Sequence, residues 1–315
     1  LGPIYTWGTI GGRTDFYMWK PVFLDYSYNF AVRNFRHGSF GNITKIDNTR
    51  QVKNSESFFS VAAGMPLAHR GVFLIRANGG HVNYRYDSDE LFADDTDHSR
   101  YSFFGIKAEL ARNTLDKFLY PRRGSDLKLS GIFVTGRDKY EPFDAEKFLS
   151  RTSRQWVGAR LTWDKYFDMP GCSWFSLGLN VDGVITNHPE FTTEGATVMS
   201  MPAYEPVPHA QMIYMPDFRG KRFAAGGVMP TFDLMPNFFL RTGFYAMFRE
   251  KRSFVPGVSG PVEDKRWHYI AEASLVYHTP IGPVSLALTK YDLRNWKNMY
   301  LTFNFGYAIF APKGT

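Results

Sequence analysis

Apolar and polar side chains alternate one for one through segment after segment of this chain. From Phe23 to Phe30, Leu24, Tyr26, Tyr28 and Phe30 are apolar, with Asp25, Ser27 and Asn29 between them. From Met299 to Ile309, one face is Met299, Leu301, Phe303, Phe305, Tyr307 and Ile309. The other face carries Tyr300, Thr302, Asn304, Gly306 and Ala308. Val157, Ala159, Leu161 and Trp163 alternate with Gly158, Arg160, Thr162 and Asp164, and Val284, Leu286 and Leu288 with Ser285, Ala287 and Thr289. Successive side chains of a strand point to opposite faces, so each segment has one greasy and one polar side. No sustained helical period competes with this pattern.

The alternation predicts strands at 4–18, 22–33, 54–66, 71–84, 101–113, 124–136, 154–167, 173–186, 222–234, 237–249, 267–278, 282–291 and 298–310. Most are long enough to cross a bilayer at the tilt of a barrel and longer than the usual strand of a soluble sandwich. Their connections alternate between short and long. Trp19-Lys20-Pro21, Leu67 to Arg70, Met169-Pro170-Gly171, Met235-Pro236 and Thr279 to Gly282 are short, and Asn113 to Gly124 is the longest of that set. Asn34 to Asn54, Tyr86 to Arg100, Arg137 to Arg151, Asn187 to Lys221 and Arg249 to Trp267 are long, with a shorter one at Asp292 to Lys297. Short periplasmic turns opposite long external loops are the topology of an outer-membrane barrel. The expectation is therefore an all-β, transmembrane antiparallel barrel with about thirteen strands in this chain. Single-chain bacterial barrels have even counts, and an open edge would leave backbone groups unpaired in lipid. Either the first 20 residues hide two strands or strands upstream of Leu1 are missing, and the second reading is favoured.

Composition narrows the alternatives. Aromatic residues make up 17% of the chain, with 29 Phe, 18 Tyr and 7 Trp, which suits the interfacial girdles of a barrel. The net charge of +7 arises from 37 Lys and Arg interleaved with 30 Asp and Glu, without a basic block. Such a dispersed excess fits charged loops and a polar lumen, and not a nucleic-acid face. Cys172 is the single cysteine, which excludes an intramolecular disulfide and a CxxC metal or redox site. No apolar run approaches the length of a transmembrane helix, and Leu1 to Thr9 do not read as a signal peptide. The acidic loop residues Asp87-Ser88-Asp89-Glu90 and Asp94-Asp95-Thr96-Asp97-His98 read as solvated surface and not as a calcium site. The eight histidines form no HExxH or clustered ligand set. Neither a metal nor a cofactor is expected. Inward positions on the alternating faces include Asp25, Lys107, Glu109, Lys128, Arg160, Arg241 and Glu272. Charges of both signs there would pair across the lumen or set the selectivity of a pore.

The longest loop ends in Phe218-Arg219-Gly220-Lys221, directly before a strand containing Gly226-Gly227, and four more strands follow. This resembles the bacterial surface antigen superfamily, which includes barrel-assembly factors and two-partner secretion transporters. That superfamily has a sixteen-stranded barrel whose sixth external loop folds into the lumen and carries a Val-Arg-Gly-aromatic motif. The resemblance implies that Arg219 docks on an acidic residue of the inner wall, as a guanidinium fork on a carboxylate pins a loop. Lys221 departs from the motif's aromatic, and Arg241 stands where a wall aspartate is expected. Glu272 is the inward-facing candidate partner.

Further segments resemble the barrel of patatin-like phospholipases. They are Tyr5-Thr6-Trp7-Gly8, Gly12-Arg13-Thr14-Asp15, Asn113-Thr114-Leu115, Pro121-Arg122-Arg123-Gly124-Ser125, Glu272 to Tyr277, Gly282 to Leu286 and Asn304 to Tyr307. The resemblance implies a barrel entered at about its fourth strand, outer-membrane lipid around it, and a periplasmic or surface-placed lipase domain upstream. A homodimer is a further expectation. The catalytic elements are not in this chain: Gly257-Val258-Ser259-Gly260 lacks the spacing of a Gly-x-Ser-x-Gly elbow, and Asp182-Gly183-Val184 reads as a lumen carboxylate within a strand. The rival readings are a barrel-assembly or polypeptide-translocation protein, a passive porin and a soluble all-β binding protein.

Overall fold

The structure is a computed structural model that describes residues 5–17, 21–36, 51–87, 96–141, 150–169, 171–172, 174–192, 194–207, 210, 215–250, 266–280, 282–291 and 299–306. Thirteen antiparallel strands make one sheet in chain order. They are β1 (Tyr5–Tyr17), β2 (Pro21–Arg36), β3 (Gln51–Leu67), β4 (Gly71–Asp87), β5 (Thr96–Asn113), β6 (Gly124–Glu141), β7 (Ser150–Asp168), β8 (Phe175–Thr186), β9 (Arg222–Met235), β10 (Phe238–Arg249), β11 (Trp267–Thr279), β12 (Gly282–Tyr291) and β13 (Met299–Phe305).

Burial on this sheet is inverted relative to a water-soluble protein. On β12, Ser285, Ala287 and Thr289 are buried, while Leu286 and Leu288 are 44% and 42% exposed. On β10, Arg241, Tyr245 and Arg249 are buried, while Phe244 and Phe248 are exposed. Leu110, Leu129 and Leu161 sit side by side on neighbouring strands and all point outward. A soluble sandwich would bury the leucines and expose the serine and threonine. The arrangement makes sense when hydrocarbon bathes the exposed face.

The polar face is concave. Tyr120, in the turn between β5 and β6, donates a hydrogen bond to the Ser285 hydroxyl on β12 at 2.9 Å. Tyr166 of β7, Tyr245 of β10 and Tyr291 of β12 share one buried cluster. In a flat sheet β6 and β12 would lie roughly 29 Å apart at the usual strand spacing of about 4.8 Å. The sheet therefore curls into a barrel wall, with β1 and β13 at its two edges.

Each predicted strand is present; the last stops at Phe305, with Gly306 outside it, and the other main differences lie at the long-loop ends. There β3, β4, β5, β6 and β7 run several residues further than the alternation indicates, to Gln51, Asp87, Thr96, Glu141 and Ser150. Backbone pairing continues through Lys53 opposite Arg85 and His98 opposite Glu141. Both faces are polar at that height, so pairing persists without a hydrophobic period. A second difference is a helix, α1 (Glu194–Ser200), inside the longest loop. Seven residues make under two turns, too few to show a helical period. Positions 307–310 of the last predicted strand, the acidic residues Asp89, Glu90, Asp94 and Asp95, and Gly257 to Gly260 lie outside the described residues.

Placing Leu129→Arg on the outer face should cost about 2 kcal/mol in a lipid-embedded wall. Urea unfolding from vesicles would measure it. A solvent-facing leucine would tolerate the same change with no loss.

Candidate functional site

The long loop between β8 and β9 lies against the concave face. Its first arm brings Phe191, Ala196 and Met199 onto Phe58, Tyr84, Tyr101, Phe103 and Trp156, near the long-loop ends of β3 to β7. Asp138 of β6, 1% exposed, anchors this arm by accepting from both the backbone N–H and the hydroxyl of Thr192, each at 2.9 Å. Its second arm buries Tyr204, Val207, Met215 and Phe218 against Val184, Phe223, Met247, Ile270 and Tyr291. The Tyr204 hydroxyl donates to Asn180 Oδ1 on β8 at 2.7 Å. Phe218 packs edge-on to Tyr291 and His268, with ring centroids 6.1 and 5.6 Å away.

The two arms are tied to each other. Tyr204 N–H donates to the Phe218 carbonyl, Gly220 N–H donates to the Pro202 carbonyl, and Ala203 bridges Arg219. Arg219 completes the tie by donating to the carbonyls of Met199 and Met201 at 2.8 and 3.3 Å. A helix ends with carbonyls that lack intrahelical partners, and the guanidinium supplies donors to that end of α1. Hydrogen bonds from a charged donor are worth about 1.5–3 kcal/mol each. Among the described residues, Arg219 thus pins the loop to itself and pairs with no wall carboxylate.

Glu272, expected as its partner, is on β11 two residues from the position opposite Arg241, and it accepts from Ser274 at 2.7 Å. It faces Arg241 electrostatically. Arg241 is itself buried beneath the rings of Tyr120 and Tyr166, with centroids 5.5 and 6.0 Å away. Glu272 therefore lies within electrostatic reach of Arg241, while the hydrogen bonds of Arg219 go to Met199 and Met201.

The turn from Asn113 to Gly124 enters the lumen from the opposite end. Asp116 accepts from the backbone N–H groups of Arg122 and Arg123, and Arg122 pairs with Asp233 of β9. Gly124 has φ +99° and lies so close to the Thr114 carbonyl that a Cβ there would collide with it. This geometry directs Tyr120 inward onto Phe239 and Val276. Burial raises the Tyr120 phenol pKa, and its hydrogen bond to Ser285 works against the rise.

The other predicted charges all occupy the concave face, and most are paired. Arg160 makes a forked contact with Asp182 at 2.5 and 3.0 Å and also donates to the Ala203 carbonyl. Lys107 pairs with Glu109 at 2.5 Å, Lys128 with Asp126 at 2.6 Å, and Asp25 lies 3.8 Å from Arg13. Sequence reasoning missed Asp138 because its strand was ended before that position, so its inward parity was not counted. It missed Tyr120 as well, although Phe118-Leu119-Tyr120 is an unusually apolar run for a solvated turn. His188 carried no signal at all. It is 1% exposed between Trp156 and Phe191, with ring centroids 4.5 and 5.4 Å away.

Fold and site together define an antiparallel transmembrane β-barrel with a loop folded into its lumen. No protein-family model matches this chain, and no curated protein matches it. Among solved structures it is similar to BamA from Haemophilus ducreyi lacking POTRA domains 1–3, at 12% identity and a TM-score of 0.59. That match covers 95% of this chain and 60% of the BamA chain, so the chain spans less than two thirds of that structure. Weaker matches are the ferric-catecholate import receptor Fiu from Escherichia coli K12 (10% identity, TM-score 0.40, 91% and 51% covered) and CdiB from Acinetobacter baumannii (7%, 0.36, 95% and 59%).

Burial lowers the His188 imidazole pKa to about 4, with Lys221 adding to the fall and the backbone of Pro189 opposing it. The folded value lies below the unfolded one, so this contribution is present above pH 6.5 and is lost as pH falls. Between pH 7 and pH 5 the docked loop should lose about 2 kcal/mol. Protease susceptibility of the loop, measured across that range, should rise in the native chain and stay flat in His188→Phe.

Proposed function

We propose that this chain is the outer-membrane barrel of a surface-antigen-type protein, which anchors a further domain in lipid while keeping its own lumen closed. The observation that carries this reading is the loop bearing Phe218-Arg219-Gly220, laid against the inner wall and buried there. A passive porin needs an open lumen, whereas here the two arms of the loop bond each other as well as the wall. In this reading the wall is of the sixteen-stranded type and is completed by strands of the longer protein. Gram-negative outer-membrane lipid covers its apolar face.

The attached domain is, on the motif resemblance, a patatin-like lipid acyl hydrolase outside this chain, and the barrel tethers it or moves it across the membrane. The likeness in fold to BamA favours a second reading, in which a barrel of the same superfamily serves barrel assembly or polypeptide translocation without lipase chemistry. Fatty-acid release from phosphatidylglycerol vesicles by the protein isolated from its native membrane separates the two. Release is expected; its absence would leave assembly or translocation standing. A homodimer through the apolar face is compatible with either.

Closure is tested separately. In planar bilayers the native barrel should conduct little. Arg219→Ala removes the two hydrogen bonds to Met199 and Met201, about 3 kcal/mol in total, and should raise the fraction of time spent in an open state by about a hundredfold. An unchanged conductance would mean that the loop closes nothing.

A further inference from the structure

Beside the folded-in loop, the lumen contains a cavity of about 590 Å³, walled by β2 to β8 and by the loop itself. Arg76, Lys107, Lys128, Arg160, Arg219 and His188 are among its lining residues. Carboxylates account for part of this positive charge. Glu109, Asp126 and Asp182 pair with Lys107, Lys128 and Arg160, Glu56 pairs with Arg33, and Glu205 also lines the space. Two guanidinium groups are left over. Arg76 makes no ion pair or hydrogen bond among the described residues, and Arg219 is bound to neutral carbonyls.

One more observation points the same way. Arg76 and Lys107 are directly opposed on β4 and β5. Like charges in that relation repel; Glu109 offsets the Lys107 charge, and an anion between the two side chains would do the same for Arg76.

We propose that this cavity binds a phosphate-bearing small molecule, with the guanidinium groups of Arg76 and Arg219 and the Lys107 ammonium as its donors. Guanidinium forks match phosphate oxygens in pairs. The volume falls in the range of small-molecule sites, larger than a bare phosphate requires, and Ile132, Trp156 and Val184 line it with apolar surface for the body of the ligand. The proposal does not depend on whether a lipase domain is attached. Two sources carry this chemistry, a diffusible phosphate ester and the phosphorylated head of a membrane lipid.

The test is calorimetric titration of the full protein in detergent with sodium pyrophosphate and with dihexanoyl phosphatidylglycerol, at constant ionic strength in chloride. Saturable pyrophosphate binding is expected, weakened at least tenfold in Arg76→Gln, partly retained in Arg76→Lys and unchanged in Arg70→Gln at an exposed turn. Displacement of pyrophosphate by the short-chain lipid assigns the site to a head group, and failure to displace it assigns a diffusible ligand. If Arg76→Gln does not fold, Lys107→Gln carries the same expectation. Absence of saturable binding by either probe, or equal affinity in the native chain and the variants, overturns the proposal.

Discussion

Hydrocarbon offers no hydrogen bonds, so every backbone N–H and C=O of a membrane-spanning strand must find its partner in the sheet. That requirement explains why thirteen consecutive strands pair with their chain neighbours in a single sheet. It also decides what each strand can display. With the backbone satisfied laterally, the outer face is free to be apolar and the inner face is free to be polar. Leu286 and Leu288 are exposed while Ser285 and Thr289 are buried for this one reason.

The same requirement determined how much of the fold was legible. Where a strand crosses lipid, its outward positions must be apolar, and Leu24 to Phe30 or Val284 to Leu288 declare themselves. Beyond the lipid the rule lapses. Strands β5 and β6 continue past Tyr101 and Gly136 to Thr96 and Glu141, with polar residues on both faces. Nothing in residue type marks that continuation, because pairing there depends on backbone groups alone. Position 138 was lost for that reason, and with it the carboxylate that holds Thr192.

The loop was legible in outline and not in detail. A Phe-Arg-Gly tripeptide before a strand indicated an inward fold, and the arginine is indeed at its base. Its acceptors could not be read, since Met199 and Met201 contribute carbonyls, which every residue type offers. The rest of the lumen follows the physics of buried charge. A charge away from bulk water needs a partner nearby. Arg160 finds Asp182 on the neighbouring strand, and Lys107 and Lys128 find carboxylates two residues away on their own strands. Pairs of the latter kind are visible as Lys-x-Glu and Asp-x-Lys once the face is known.

In the proposed reading the lumen is closed by two unlike devices. From the long-loop end the plug is held by aromatic packing, which tolerates small shifts, with a polar anchor to the wall at its entry, Thr192 on Asp138, and an internal tie at its exit, Arg219 on Met199 and Met201. Each of these ties shortens the free segment, and the entropy of confinement falls only slowly with loop length. The anchors therefore contribute chiefly by fixing position. From the short-turn end, Tyr120 and Arg122 reach β12 and β9 from a turn stiffened by Asp116 and Gly124. A short, stiff turn has little freedom to withdraw, whereas a long loop tied by a few bonds has much. If the lumen opens, the physics of the two closures requires the loop to move first.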